Sequence, residues 1–516
     1  MKAIQHSIQY DRKTGQVAHF ETETPCLPEE QFPHIVEDHV IGLYPSFRFQ
    51  KVDGFGCALT ETACYLLSQM SPEQRKETLS LWFGPEEHKA RFVRIPIDSC
   101  DYSLSEYQAV VDPIADPELN TFSIDRDRKY ILPVVKEALA LSEGKLSVLL
   151  SPWSPPWQWK TLPQGQKNDA VTYGGQEVTE ESLTPSRNNG GSLKPEFYGS
   201  WAKYLVKFIQ AYLAEGIPVT MLSVQNEAAA ATPWDSCVWT SAQEKDFLRG
   251  HLYPALQEAG LAERLEIFVW DHNKERMVER IEEMMDPEIE PLISGFAYHW
   301  YTGDHFDALG LLRGKYPKKV LMHSESCPLH MPGRVTFIEM DLEALKKKPR
   351  ASLAPEEAMI LDRVGDKTPA DVDLEDAFAY AHDIIGDLNS GMNRWMDWNL
   401  IVDPNGGPRH VAGGFAAPLV YGADGKVIRT VSFDYLSLIM EAIPAGSVRI
   451  GCSSYGAEVE AVAVSSPDEK EIRVLLFQRG NKKTMVNLRL AGQVISVELP
   501  PESLTSVRIK HIYPDA

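Results

Sequence analysis

PVTMLSVQNE, residues 218–227, is a short apolar run that starts at a proline and ends in polar residues, and seven more segments like it lie between about residues 51 and 400. They are KVDGFGCALT (51–60), RFVRIPID (91–98), KLSVLLSPWS (145–154), LEIFVWDHN (265–273), ISGFAYHWY (293–301), KVLMHSES (319–326) and GMNRWMDWNL (391–400). Amphipathic stretches separate them, which is the pattern of a parallel α/β fold. Eight strands are the number that closes a (β/α)8 barrel, so the expected fold class is α/β, a TIM barrel with an additional module.

Working outward, Ser71, Pro72 and Gln74 form an N-cap, first-turn proline and capping-box position ahead of a periodic apolar segment. A second helix is expected from about Pro195, with Trp201, Tyr204, Leu205, Phe208 and Tyr212 on the face packed against the barrel and Gly216 at its C-terminal cap. Beyond about residue 445 the period changes to two. Val486, Leu488 and Leu490 alternate with polar neighbours, as do Ile495, Val497 and Leu499, and Gly480-Asn481 marks a turn. The expected organisation is a catalytic barrel over 51–444 and an antiparallel β side domain, a β-sandwich, assembled from 1–50 and 445–516. Residues 333–373 exceed an ordinary loop; the lysine-rich LEALKKKPR (342–350) within them suits a solvated helix end, and the whole insertion suits a wall or lid over a site.

The 516 residues carry 51 basic and 73 acidic side chains, a formal charge of -22, so the mean field repels phosphate backbones and nucleic acid is not an expected partner. MKAIQHSIQYDRKTGQ has no apolar region after its lysine, and no run of about 18 apolar residues follows, so no integral membrane segment is expected. Seven separate cysteines without a CxxC pair fit a reducing compartment, and a cytoplasmic location is expected. Nothing in the sequence decides oligomeric state.

Residues at the C-terminal ends of barrel strands face the active-site mouth. Here those ends carry Asp98 and Asp101, Trp153 and Trp157, Asn226 and Glu227, Asp271 and His272, His299, Trp300 and Tyr301, Glu325, and Trp395, Asp397, Trp398 and Asn399. Carboxylates among tryptophans suit a sugar: aromatic rings cover the apolar face of a pyranose while carboxylates and amides bind its hydroxyls. Glycoside hydrolysis needs two carboxylates on opposite sides of the anomeric carbon, and Glu227 and Glu325 close strands four and seven, across the barrel from each other.

GFGCALTETA (54–63), RIPIDSCDYS (94–103), SPWSPPWQWK (151–160), SVQNEAAA (223–230), YHWYTGDHF (298–306), SESC (324–327) and WMDWNL with PNGGP (395–408) together resemble glycoside hydrolase family 30, in one order over nearly the whole chain. The resemblance implies a retaining β-glycosidase with Glu227 as general acid/base and Glu325 as nucleophile. It further implies that Asn226 bonds the sugar 2-hydroxyl, that Asp101, Trp153 and Trp398 line the glycone pocket, and that Arg94, His299 and Tyr301 orient the nucleophile or the sugar. For Arg94 a buried structural ion pair is an equal alternative. The family's usual Asn-Glu-Pro is Asn226-Glu227-Ala228 here, and the insertion at 333–373 bears on the aglycone side.

β-Glucosides are the favoured substrates by this resemblance; β-1,6-glucan, β-xylosides and β-fucosides are alternatives within the family. No cofactor and no catalytic metal are expected. Asp271, His272, His299 and His323 have ligand types, but neither HxH nor HExxH spacing occurs. A non-catalytic carbohydrate-binding barrel is the alternative of another class.

Overall fold

The computed structural model describes residues 2–31, 40–84, 90–161, 188–232, 234–328, 347–353, 361, 369–411, 414–454, 456 and 458–510. Four strands come first: β1 (Lys2–Asp11), β2 (Gln16–Pro25), β3 (Leu27–Pro28) and β4 (Val40–Lys51). Eight parallel strands follow: β5 (Gly54–Ala58), β6 (Phe92–Ile97), β7 (Ser147–Pro152), β8 (Val219–Ser223), β9 (Glu266–Asn273), β10 (Gly295–His299), β11 (Val320–Glu325) and β12 (Arg394–Asp397). They close in chain order, β12 pairing with β5 through Arg394–Gly54 to Asp397–Cys57. Every one lies inside a segment expected from the sequence, and the chain folds as a (β/α)8 barrel with a β-sandwich.

Three short strands, β13 (Ile401–Val402), β14 (Leu419–Tyr421) and β15 (Val427–Arg429), form a small separate sheet, and the sandwich sheet runs β2-β1-β21-β18-β17-β16-β4-β19-β20-β3, where β16 is Val448–Ser454, β17 Val459–Ser465, β18 Glu471–Gln478, β19 Thr484–Leu490, β20 Gln493–Leu499 and β21 Ser503–Lys510. Its pairs are antiparallel apart from β19 with β4, which run parallel. Val486, Leu488, Leu490, Ile495, Val497 and Leu499 all point into its core, as their alternation requires. Phe378, on the helix Pro369–Ser390, packs edge-on against Phe477 of β18 at 5.0 Å and so joins barrel to sandwich.

The helix Pro72–Phe83 is capped as expected by Ser71, whose hydroxyl accepts from the Gln74 amide. The reciprocal half of the capping box is missing, because Gln74 Nε2 donates instead to Gly425 O at 2.7 Å. The helix Tyr198–Ala214 buries Trp201, Tyr204, Leu205, Phe208 and Tyr212, and Gly216, at φ 81°, ends it in the left-handed conformation that glycine adopts without steric cost. Most of the insertion at 333–373, including the bulk of LEALKKKPR, lies outside the described residues. Among the described residues, no helix is long and apolar enough to cross a membrane.

Candidate active site

Strand periodicity builds the site in layers. Phe92, Leu149, Met221, Phe268, Ala297, Met322 and Met396 pack together inside the barrel as an apolar plug. Two residues further on, where side chains again point inward, stand Arg94, Ser151, Ser223, His299, Ser324 and Trp398. Strand β9 departs from this register. Trp270 and Asp271 have φ of 76° and 45°, and pairing with β10 skips Asp271, so a bulge turns the Asp271 carboxylate inward while Trp270 joins the outer core. A matching irregularity between β10 and β11 skips Ser324 and sets His299 opposite Glu325.

Asp271 is the hub of this layer. Its Oδ2 accepts from Ser223 at 2.6 Å and from Arg94 and Ser151 at 2.9 Å, while its Oδ1 accepts from Ser324 at 2.5 Å and faces His299 Nε2 at 3.2 Å. Burial pushes its carboxyl up, but Arg94 and His299 pull it far below the usual range, so it is an anion. The sequence marks Asp271 only as an acidic residue at a strand end. Its partners are serines, which in a strand read as ordinary small residues.

Arg94 is fully buried and ion-paired with both Asp271 and Glu325. Its Nη1 donates to Glu325 Oε2 at 2.5 Å, while Nη2 donates to Asn226 Oδ1 at 2.7 Å and to Asp271. Tyr301 donates its hydroxyl to Glu325 Oε1 at 2.9 Å, so both oxygens of Glu325 are held by donors. The guanidinium lies 4.7 Å from the Trp153 ring, and Trp153 stacks on Trp398 at 5.0 Å.

Glu227 is positioned differently. Its φ of 49° is left-handed, unusual for a non-glycine residue, and is fixed by bonds from its amide to Asp271 O at 2.8 Å and from Ala230 N to its carbonyl at 2.9 Å. His299 Nδ1 is 3.4 Å from Glu227 Oε1 and His272 Nδ1 is 3.5 Å from the same oxygen. Burial raises the Glu227 carboxyl, yet the contacts with the two imidazoles prevail and hold it below the usual range. Burial lowers His299, but Glu325, Asp271 and Glu227 outweigh it and lift that imidazole to about 9. The proton of the Glu227–His299 pair therefore rests on the imidazole at neutral pH.

Asp101 is buried and faces Arg409 Nη1 at 3.4 Å. Burial lifts its carboxyl to about 7; Arg409 opposes this, while Glu325 and Glu227 add to it, which puts the three carboxylates in one electrostatic field. Arg409, on the loop after β12, has its guanidinium over the rings of Tyr102 and Phe415, and no strand-end pattern points to it. All nine residues singled out from the sequence thus fall into one connected set.

Other strand-end residues do not. Trp395 belongs to the outer core, Asp397 accepts from Tyr380 at 2.7 Å, Trp300 stacks on Tyr380, and His323 meets Asp387 at 2.8 Å behind the barrel wall. They have the parity that points outward. Of the four residues weighed as metal ligands, His323 is therefore separate, and Asp271 is already saturated by its donors.

Asp98 also turns away from the mouth, at φ 62°, to accept from Tyr204 at 2.5 Å and from the Ala109 amide at 2.9 Å, which braces the loop carrying Asp101. Burial lifts its carboxyl to about 8. A raised folded-state value favours folding below the unfolded value and loses that contribution as pH rises towards 8. Asp98→Asn keeps the size and tolerates the left-handed backbone, so its stability relative to the parent should grow by about 1 kcal/mol per pH unit between pH 5 and 7. Urea midpoints at several pH values measure this, and a difference independent of pH would refute the buried-acid account.

Comparison with known proteins agrees with this architecture. The glycosyl hydrolase family 30 TIM-barrel domain matches residues 52–331 and 339–429, and the glycosyl hydrolase family 30 beta sandwich domain matches 446–507. The chain belongs to glycosyl hydrolase family 30 and is an O-glycosyl hydrolase. It is 27% identical to putative glucosylceramidase 3 of Caenorhabditis elegans over 475 residues, 90% of this chain and 80% of that one. It is also 27% identical to lysosomal acid glucosylceramidase of Mus musculus over 452 residues, 85% and 77% of the two chains. Among solved structures, SrfJ from Salmonella typhimurium superposes with a TM-score of 0.82 at 28% identity, covering 99% of this chain and all of that one.

Proposed function

We propose that the chain hydrolyses β-glucosides with retention of configuration, Glu325 acting as nucleophile and Glu227 as general acid/base. The unequal surroundings of the two carboxyls support this assignment. Glu325 is held by the Arg94 guanidinium and the Tyr301 hydroxyl, donors that fix and aim its two oxygens. Glu227 instead lies 3.4 Å from the His299 imidazole, a proton-carrying neighbour for a group that must give and take a proton. In the first step Glu325 attacks the anomeric carbon as the glycosidic C–O bond breaks, and Glu227 delivers the proton to the departing oxygen. In the second, Glu227 takes a proton from water, which displaces Glu325 and releases the sugar.

Asn226, whose carbonyl oxygen is fixed by Arg94, keeps its amide N–H for the sugar 2-hydroxyl. Trp153 and Trp398 supply the aromatic wall, and Asp101 with Arg409 supplies hydroxyl-binding groups. Residues 51–444 form the catalytic unit in this assignment, and 1–50 with 445–516 form the side domain. All seven cysteines are free, which fits a reducing compartment such as the cytoplasm.

The likeness to glucosylceramidases favours glucose as the glycone. A panel of 4-nitrophenyl β-glycosides compared by kcat/KM, with proton NMR of the first-formed sugar, tests both halves. The β-glucoside is expected to lead, and the β-anomer to appear before mutarotation. Appearance of the α-anomer first would refute retention, a β-xyloside or β-fucoside leading tenfold would refute the sugar, and no phenol from any member would leave a binding barrel.

A further inference from the structure

We infer that Glu227, His272 and His299 form a site for one divalent transition-metal ion, zinc being the type case, and that its occupancy inhibits the enzyme. The inhibition, though not the binding, rests on Glu227 being the acid/base.

The three facing ligand atoms lie within 4.8 Å of one another, and all three residues are buried. Bonds of about 2.0–2.2 Å from zinc to nitrogen and oxygen give a tetrahedron with edges of roughly 3.3–3.6 Å. The two separations at Glu227 Oε1, 3.4 and 3.5 Å, match such edges, whereas a well-formed hydrogen bond would be shorter. His272 Nδ1 has no hydrogen-bond partner among the described residues, although the residue is only 2% exposed. A buried polar atom aimed at a carboxylate oxygen without a bond to it is a cost that an ion would remove.

The surroundings are those of a metal centre. His299 presents its other nitrogen to Asp271, itself fixed by three serines and Arg94, and a carboxylate behind a ligating imidazole sets its tautomer and orientation. Among the described residues Glu227, Glu325 and Asp271 face Arg94 and the His299 imidazole, Asp101 being offset by Arg409, and a dication that displaces the imidazole proton balances the remaining negative charge. A second trio, His323, Asp383 and Asp387, has the same ligand types, but Lys274 Nζ already sits 2.6 Å from Asp383 and 3.0 Å from Asp387. There an ammonium fills the place; at Glu227 no lysine or arginine does so among the described residues, and the proton of the His299 imidazole is one that metal binding releases.

A metal-stripped full chain, titrated with Zn²⁺ during hydrolysis of 4-nitrophenyl β-glucoside, should lose activity as one ion binds and recover it with EDTA. Mg²⁺ and Ca²⁺, which prefer oxygen cages, should have no effect. Co²⁺ gives a readout independent of turnover: the intense visible bands of a four- or five-coordinate nitrogen and oxygen site are expected, in the parent and in Glu325→Gln alike. His272→Asn should weaken both the Zn²⁺ midpoint and the cobalt bands at least tenfold, and Glu227→Gln should do the same to the bands if the first variant does not fold. An unchanged zinc midpoint in His272→Asn, or the weak bands of six-coordinate cobalt in the parent, would overturn the site. Cobalt bands without any hydrolysis would instead count against the catalytic roles and leave the ion site standing.

Discussion

Glu325→Ala should give no burst of phenol from any aryl β-glucoside, with kcat/KM lowered on the order of 10⁴-fold or more. The loss should not depend on the leaving group, because the missing event is bond formation at the anomeric carbon. Arg94 would lose the carboxylate that its Nη1 holds and Tyr301 its acceptor, so some rearrangement of both is expected. Azide, if it restores turnover, must enter from the vacated face and attack directly, giving the α-glucosyl azide. A phenol burst in this variant would end the assignment of Glu325 as nucleophile.

Glu227→Ala should behave in the opposite sense. With a poor leaving group it should lose about 10² to 10⁴ in kcat/KM, the usual worth of a positioned proton donor. With 2,4-dinitrophenolate, which departs without a proton, the first step should survive. The covalent intermediate would then wait for a water that has no base, so a stoichiometric burst should precede slow turnover. Azide needs no base and should speed the second step to give the β-glucosyl azide. An α-azide from this variant together with a β-azide from Glu325→Ala would mean that the roles are reversed.

The barrel was legible because its strands are apolar runs with punctuated ends, and the two glutamates were legible because they close two of those runs. What remained hidden depends on parity. Asp271 enters the barrel through a bulge that no glycine announces, with φ of 45° borne by aspartate itself. His323, Trp300, Trp395 and Asp397 sit at strand ends like the residues gathered at the barrel mouth, but face the helices. His272 stood out only by residue type, and its approach to Glu227 depends on backbone geometry at Trp270 and Asp271 that residue type does not encode. Arg409 reaches Asp101 from a loop, where spacing carries no directional information.

The neighbour of β1 in the sandwich is β21, joined by seven paired residues from Ala3–Ile509 to Gln9–Ser503. On a ribosome adding about 5–20 residues per second, that partner emerges roughly 25–100 seconds after β1. The β1–β2 hairpin must spend this interval with the β1 edge unsatisfied, while the whole barrel is being made. Ala3, Ile8 and Tyr10, buried in the finished protein, are then open to any passing strand, a hazard that lasts until residues 503–510 have been made and have paired with β1.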